Sequence, residues 1–409
     1  MAPYTYDHLR PKAKSRDPFY AVSADWADVI PIPLIEGGPQ PPLEPGQPEP
    51  PPPAPALATI AYSQRYLEAM SYLRAVMADN EFSERCLALT EDIIEQNPAH
   101  YTVWLYRMKC LRQLWGVDAK GATLVFEGAE DEGKVVEGVN RELEWLERRS
   151  ERNLKNYQIW HHRQSLLTLL PTHLPLPETE IPFLTHILSF DAKNYHVWTY
   201  RQWLCRRYHT TLLTDPSPEL LSLEALINED CRNNSAWSHR YFVVFGHEEL
   251  AELEKPEGEA KSRVRKELLE HKMLGEVDEV VLQRELSFTR GWIEAAPQNA
   301  SPWNYLRGVL KRAGRGTGTE REFCESFVRP KRNPGVDTWG GEDRIEDEGP
   351  LDYEGDGVRS SHAIDWLSII YAEEGTEEGK EKARACLRAL GNKWDIIRKN
   401  YWNHRMKSI

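Results

Sequence analysis

Apolar residues recur at helical spacing through most of the chain. The first clear stretch of this kind comprises Tyr62, Tyr66, Met70, Leu73 and Met77. These positions are three or four apart, so they lie on one face of a helix. Ser83 then has the position of an N-cap, and the pattern after it indicates a second helix that ends near Asn97. Strand-like alternation of apolar and polar residues is nearly absent, and the chain is therefore predicted to be all-α.

The helical pattern contains an internal repeat that is centred on tryptophan. Five segments align on it, at Trp104, Trp160, Trp198, Trp237 and Trp303. Asparagine stands four residues before the tryptophan in four of these copies, and arginine stands three residues after it in four: Arg107, Arg163, Arg201 and Arg240. We interpret each copy as the second helix of a pair, with asparagine as its N-cap and tryptophan in the core. The arginine is predicted to join one pair to the next. A degenerate sixth copy is at residues 401–405.

The spacing of the tryptophans predicts the architecture. Successive tryptophans are 56, 38, 39 and 66 residues apart, and a helix–turn–helix pair needs roughly 35 to 40 residues. Stacked pairs form a right-handed α-α superhelix, which is crescent-shaped and has an extended concave face. We expect this superhelix to occupy residues 61–409, with charged insertions near 127–138, 248–275 and 339–357.

Residues 1–60 have a different character. The stretch 31–55 has 12 prolines in 25 positions, and proline excludes it from a helix or a central strand. We expect an extended N-terminal arm, for which docking to a proline-binding module is the functional alternative. The apolar residues just before it, among them Phe19, Tyr20 and Trp26, are predicted to pack on another surface, either of this chain or of a second one.

Composition narrows the classes of function. Lys plus Arg is 51 and Asp plus Glu is 64, a net charge of −13, so the chain lacks the basic field of a general nucleic-acid-binding protein. No apolar run approaches the ~20 residues that span a bilayer, and residues 1–10 have no signal-peptide core. The six cysteines are scattered, without a C-x-x-C pair or a zinc-spaced Cys/His cluster. This favours free thiols in the cytoplasm and no metal bound by this chain.

Residues peculiar to one or two copies are better site candidates than residues that recur in all of them. The copies around Trp160 and Trp198 have lysine, asparagine and tyrosine in succession, at 155–157 and 193–195. If both copies face one cleft, these groups form a cationic, hydrogen-bonding patch beside two helix N-termini, which suits a phosphate or diphosphate. The alternative is that the lysines are solvated and the tyrosines pack. No P-loop, nucleophile elbow, HExxH or Asp-rich diphosphate motif is present, so the chain is not expected to complete a reaction alone.

These motifs resemble the α subunits of protein prenyltransferases. The matching segments are 155–163, 191–198 and 230–237, with Trp26-Ala27-Asp28-Val29 before the proline-rich stretch and 395–402 near the end. They are most similar to the α subunit shared by farnesyltransferase and type I geranylgeranyltransferase. The resemblance implies an obligate heterodimer whose β subunit holds the catalytic Zn²⁺ and the isoprenoid pocket. It also implies Mg²⁺ as an additional cofactor of the farnesyl-transferring form.

The resemblance assigns the diphosphate end of the site to three residues. Lys155 matches the lysine that contacts the isoprenoid diphosphate and assists its departure, and Tyr157 and Tyr195 match tyrosines near it. Negative charge develops on the departing diphosphate, so a preorganised ammonium and phenol stabilise the transition state more than the ground state. The attacking thiolate needs a metal that lowers the thiol pKa. Because this chain has no zinc set, we expect the partner subunit to supply the metal.

The peptide end is assigned to three further residues. Gln158 matches the glutamine that binds the C-terminal carboxylate of a CaaX peptide, and Asn194 and His196 line the same region. The implied reaction transfers a farnesyl or geranylgeranyl group from its diphosphate to the cysteine of CaaX-terminated proteins. One alternative is the α subunit of the Rab-type geranylgeranyltransferase, against which Gln158 and the N-terminal arm argue. The other is a non-catalytic scaffold of the tetratricopeptide type, which the Trp-x-x-Arg motif and the irregular spacing disfavour.

Overall fold

The computed structural model describes residues 19–33, 60–116, 129–171, 173–213, 217–246, 277–329 and 351–409. These ranges contain helices and turns, with no strand among them, which confirms the all-α prediction. None of the helices in these ranges has the length and apolarity needed to cross a membrane. The α-helices are α1 Gln64–Ala78, α2 Glu84–Gln96, α3 Tyr101–Leu114, α4 Ala129–Ser150, α5 Tyr157–Leu169, α6 Glu180–Phe190, α7 Tyr195–Arg207, α8 His209–Leu212, α9 Pro218–Glu229, α10 Asn234–Tyr241, α11 Glu279–Ala295, α12 Ala300–Arg312, α13 Arg321–Glu325, α14 Ser361–Glu373, α15 Glu377–Ala389 and α16 Lys399–Met406.

The chain divides into two compact units, Met1–Arg201 and Gln202–Ile409, with the boundary within α7. In the first unit, α1 packs on α2, α2 on α3, α3 on α5 and α4 on α5. In the second unit, α9 packs on α10, α10 on α12, α11 on α12 and α14 on α15. Each unit is therefore built from helical pairs, as the sequence predicts, and second helices of consecutive pairs are in contact within each unit.

The repeated asparagines begin the second helices and also connect consecutive pairs. Asn156 Oδ1 accepts the backbone N–H of Ile159 at 3.1 Å, which is the contact of an N-cap. Its Nδ2 donates to the carbonyl of Pro98, in the turn of the preceding pair, at 2.8 Å. Asn299 is likewise an N-cap, and its Nδ2 donates to the carbonyl of Cys231 at 2.6 Å. One side chain thus satisfies a free helix N–H group and fixes the register of two pairs.

The five repeated tryptophans lie in the core, as predicted. Each is at most 8% exposed. In four copies the indole Nε1–H donates to a backbone carbonyl six residues earlier, and these donors are Trp104, Trp198, Trp237 and Trp303. Those four indole N–H groups are therefore buried and hydrogen-bonded at the same time, as buried polar groups generally are. Trp160 contacts the ring of Tyr200 in the next pair, with 5.6 Å between ring centroids.

The repeated arginines join consecutive pairs through buried glutamates. The ion pairs are Arg107–Glu142, Arg163–Glu180 and Arg240–Glu285, with N–O distances of 2.6, 2.7 and 2.8 Å. All six side chains are almost fully buried, which confirms the predicted role of these arginines. Each glutamate also contacts an aromatic side chain 20 residues later in its own pair, at His162, Tyr200 and Tyr305. The polar contacts between pairs are therefore as regular as the apolar ones.

A further copy of the repeat begins at Ser360, in the second unit, and the sequence analysis missed it. Ser360 Oγ accepts the N–H of Ala363 at 3.3 Å and donates to the carbonyl of Pro297 at 2.6 Å, the two contacts that the asparagines make. Ile364 stands where the other copies have tryptophan.

The degenerate copy at 401–405 differs from the others in the hydrogen bond of its tryptophan. Trp402 is buried, but its Nε1–H donates to the carboxylate of Asp395 at 2.9 Å and not to a backbone carbonyl.

The apolar segment before the proline-rich stretch packs on the first helical pair of its own chain. The carboxylate of Glu68 accepts the backbone N–H groups of Phe19 and Tyr20, both at 2.8 Å. The rings of Tyr20 and Trp26 are buried against Tyr72 of α1. Of the two surfaces that the sequence analysis left open, the observed one belongs to this chain.

Most of the predicted arm and insertions lie outside the described residues. This holds for residues 34–59, for the insertion at 248–275 and for much of the insertion at 339–357. In the insertion at 127–138, the described residues lie in the first turns of α4, a helix of 22 residues.

Candidate functional site

The candidate residues lie at the starts of two consecutive second helices, α5 and α7. Lys155 and Tyr157 flank the N-cap of α5, and Tyr195 begins α7. Asn194 Oδ1 accepts the N–H of His196 at 3.0 Å, and its Nδ2 donates to the carbonyl of Leu154 at 2.9 Å, in the turn before α5. The side chain of one helix start is thus bonded to the backbone of the other, which holds the two turns side by side.

Three of the predicted residues lie together at the surface, in what we call the ring surface: Tyr157 and Tyr195, which are exposed, and His196, which is half-buried. The ring of Tyr157 makes an edge contact with that of His196, with centroids 6.2 Å apart, and Tyr195 contacts His196 at 5.7 Å. The tyrosines are 59% and 75% exposed. Two helical pairs therefore present phenol and imidazole groups at one place on the surface. Because the two phenols are mostly exposed, the packing of the repeat does not account for them.

Lys155 supplies a positive charge at the start of α5, the helix that presents Tyr157. Its side chain is exposed, and it forms no hydrogen bond or ion pair within the described part of the chain. It stands two residues before Tyr157, next to the N-terminus of α5, where the helix dipole adds positive potential. An ammonium, two phenols, an imidazole and two helix starts together favour a multiply charged anion.

The two other predicted residues point elsewhere. Gln158 Nε2 donates to the carbonyl of Ala99 at 3.0 Å, so Gln158 faces the preceding pair while Tyr157 contacts the following one. Asn194 is buried, and its carboxamide is engaged at both ends inside the chain. Any effect of Asn194 on a substrate therefore passes through the position of the helix starts.

One ring next to the site was not singled out by the sequence analysis. His161 lies one turn after Tyr157 on α5, and its ring is parallel to that of Tyr157, with an interplanar angle of 5° and a centroid distance of 6.2 Å. The signal that could have identified it is its position directly after Trp160, where none of the other four copies has a ring.

Within the described residues, one group of side chains has the geometry to hold a metal ion. Cys205, Glu219 and His239 are buried, with ligand atoms within 4.8 Å of one another. Sequence spacing did not reveal this group. However, His239 Nε2 and Glu219 Oε1 are 2.8 Å apart, which repeats the contact between His162 and Glu142 at the same separation of 20 residues. We therefore assign the group to the scaffold.

Comparison with known proteins identifies the repeat. The family described as "Protein prenyltransferase alpha subunit repeat" matches residues 83–114, 139–170, 177–208, 217–246 and 282–313. These are the five tryptophan copies, each with the helix that precedes it.

Relatives match most of the chain. The protein farnesyltransferase/geranylgeranyltransferase type-1 subunit alpha of Candida albicans is 30% identical over 358 residues, which cover 87% of this chain and 92% of the relative. The protein of the same name from Dictyostelium discoideum is 27% identical over 385 residues, 94% of this chain and 92% of the relative. A similar solved structure is the Candida albicans protein geranylgeranyltransferase-I complexed with GGPP, with a TM-score of 0.66 and 28% identity, covering 94% of this chain and 99% of that one.

The Rab-type alternative matches over a shorter region. The geranylgeranyl transferase type-2 subunit alpha of Homo sapiens is 29% identical over 234 residues, which are 57% of this chain and 35% of that relative. The two type-1 relatives described above match nearly end to end, so the comparisons favour the type-1 family over both alternatives considered from the sequence.

Proposed function

This chain belongs to the family of alpha subunits that protein farnesyltransferase and type-1 geranylgeranyltransferase share, and we propose that Lys155, Tyr157 and Tyr195 bind the diphosphate of its isoprenoid donor. With a β subunit, the chain transfers a farnesyl or geranylgeranyl group to the cysteine of CaaX-terminated proteins. The observation that carries the proposal is the ring surface, where two helix starts bring two phenols and an imidazole together. Lys155, which has no partner among the described residues, stands two positions before Tyr157.

The chemistry of the reaction explains why these groups would be useful. A bond forms between the cysteine sulfur and C1 of the isoprenoid, and the bond between C1 and the diphosphate oxygen breaks. The electron pair of that bond remains on the diphosphate, whose negative charge grows. Lys155 and the two phenols donate hydrogen bonds to it, and these strengthen as the charge develops. The stabilisation is largest once the partner subunit covers the surface and excludes water.

The attacking thiolate is proposed to depend on the partner. A Zn²⁺ ion held by the β subunit would lower the pKa of the substrate thiol, and Mg²⁺ would be an additional cofactor of the farnesyl-transferring form. The residues of this chain act at the diphosphate and peptide ends instead. All six cysteines of the chain are free thiols, which supports a cytoplasmic location.

Zinc content and activity should appear only when the two subunits are together. We expect the isolated chain to bind no stoichiometric zinc and to prenylate no CaaX peptide, because the one group of described residues with metal-binding geometry is assigned to the scaffold. The chain co-purified with a prenyltransferase β subunit should carry zinc and transfer the isoprenoid. Elemental analysis and a peptide assay measure both. Zinc in the isolated chain that disappears in Cys205→Leu would instead assign a metal to the Cys205 group.

Gln158 is proposed to bind the C-terminal carboxylate of the peptide. Its amide nitrogen has two hydrogens, and one of them is used in the bond to Ala99. The second can donate to a carboxylate, a charge-assisted bond that contributes about 1.5–3 kcal/mol. Gln158→Ala should therefore raise the KM for the peptide about 10-fold or more and leave the isoprenoid affinity unchanged.

Steady-state kinetics of the complex with each substrate varied in turn tests this assignment. Gln164→Ala, on the same helix, is the matched control and should leave both KM values unchanged. Loss of isoprenoid affinity with a normal peptide KM in Gln158→Ala would contradict the assignment.

A further inference from the structure

The phenol ring of Tyr157 lies between two imidazole rings. His161 is parallel to it on one helix, and His196 meets it edge-on from the next pair. Tyr157 is 59% exposed, and its hydroxyl makes no hydrogen bond to the described residues. It is also the first residue of α5, where a side chain has few neighbours within its own helix. Ring contacts are therefore what restricts this side chain.

His161 is not part of the repeated scaffold. In the five copies, the position directly after the tryptophan holds Leu105, His161, Thr199, Ser238 and Asn304. The ring occurs only in the copy that also has Lys155 and Tyr157. In the next copy the equivalent residue is Thr199, whose hydroxyl donates to the carbonyl of Tyr195 at 2.9 Å. Tyr195 therefore has no supporting ring from this position. The imidazole of His161 is exposed and contributes nothing to the core.

We propose that His161 is a positioning residue for Tyr157 and directs its hydroxyl to the departing diphosphate. The inference rests on the proposed function, and it assigns a task to a side chain outside the diphosphate-binding set. An exposed tyrosine samples several rotamers, and only some of them place the hydroxyl usefully. Stacking between planar rings is strong enough to bias this distribution several-fold. A supporting ring thus preorganises the donor before the charge develops.

The test measures the single-turnover rate of prenyl transfer by the complex with its β subunit. His161→Ala should lower this rate roughly 3- to 10-fold. His161→Phe keeps a planar ring at the same place and should restore the rate to within about twofold of wild type. In a Tyr157→Phe background, His161→Ala should have no further effect, because the hydroxyl to be positioned is gone. Thr199→Ala, at the equivalent position of the next copy, is the control and should match wild type.

Three results would overturn the inference, and they are distinguishable. Equal losses in His161→Ala and His161→Phe would mean that the imidazole itself contacts the substrate. An undiminished effect of His161→Ala in the Tyr157→Phe background would mean that it acts independently of the phenol. A wild-type rate in Tyr157→Phe alone would show that the phenol is unused, which removes Tyr157 from the proposed site as well. Alanine favours helix at this exposed position, so loss of folding is not expected to obscure the result.

Discussion

Lys155→Ala is expected to lower the single-turnover rate of prenyl transfer about 10²-fold, which is about 2–3 kcal/mol of transition-state stabilisation. The lysine is exposed and makes no contact within the described chain that its loss would break, so the complex should assemble normally. The effect falls on the chemical step because the ammonium interacts most strongly with the diphosphate when the C1–O bond breaks. Rapid-quench measurement with enzyme in excess isolates this step.

Two further variants separate charge from geometry at this position. Lys155→Arg keeps the positive charge and should recover part of the rate, since a guanidinium can also bond a diphosphate. Lys109→Ala removes an exposed lysine in the third turn of α3 and is the control for a general loss of charge. A single-turnover rate in Lys155→Ala equal to that of wild type would exclude this lysine from the mechanism.

The scaffold could be predicted from the sequence because its parts recur at fixed distances. In four of the five copies an asparagine stands four residues before the tryptophan, and in four an arginine stands three after it, so each residue type keeps a fixed turn and face of its helix. Their roles as cap, core and link then follow from chemistry alone. The copy at Ser360 was missed because a hydroxyl replaces the carboxamide and Ile364 replaces the tryptophan. Ser360 nevertheless makes the hydrogen bonds of the asparagines, and Ile364 is buried as the tryptophans are.

The buried glutamates were missed for a different reason. They are 35, 17 and 45 residues from their arginines, because insertions between pairs change that distance. A constant signal was nevertheless present: Glu142, Glu180, Glu219 and Glu285 each stand 18 residues before the tryptophan of their own pair. In the first copy that position is Cys86. The first copy has no earlier repeat to supply an arginine, and a buried carboxylate without that partner would be costly.

Which residues of the site face each other could not be predicted from spacing. The sequence places Tyr157 and Gln158 side by side, yet one contacts the following pair and the other the preceding pair. Neighbouring residues on a helix differ by about 100° in direction, so adjacent positions serve different neighbours. The contact between Tyr157 and His196 likewise depends on the register between pairs, which the Asn194 carboxamide fixes.

Glu142→Gln is expected to lower the free energy of unfolding by about 3 kcal/mol at neutral pH. Burial by itself would raise the pKa of Glu142, but the charge of Arg107 and the hydrogen bonds from His162 and Arg107 outweigh it and lower the pKa to about 2. Glutamine keeps the shape of the side chain and removes the charge, which leaves the fully buried Arg107 without its counter-ion. Removing one partner of a buried ion pair costs about 3–5 kcal/mol. Urea unfolding of the chain with its partner subunit measures the change.

The pH dependence distinguishes this ion pair from a general packing effect. The ordinary pKa of a glutamate is 4.5, and that of Glu142 in the folded chain is about 2. The carboxylate therefore stabilises the fold fully above about pH 4.5 and loses this contribution as the pH falls towards 2. Burial lowers the pKa of His162, and its Nε2–H donates to the carboxylate of Glu142 at 3.0 Å. The difference between wild type and Glu142→Gln should narrow below pH 4.5. Glu144→Gln changes an exposed residue on the same helix and should have the free energy of unfolding of wild type at every pH. A difference in the free energy of unfolding between wild type and Glu142→Gln that stays constant down to pH 3 would contradict an ionised Glu142.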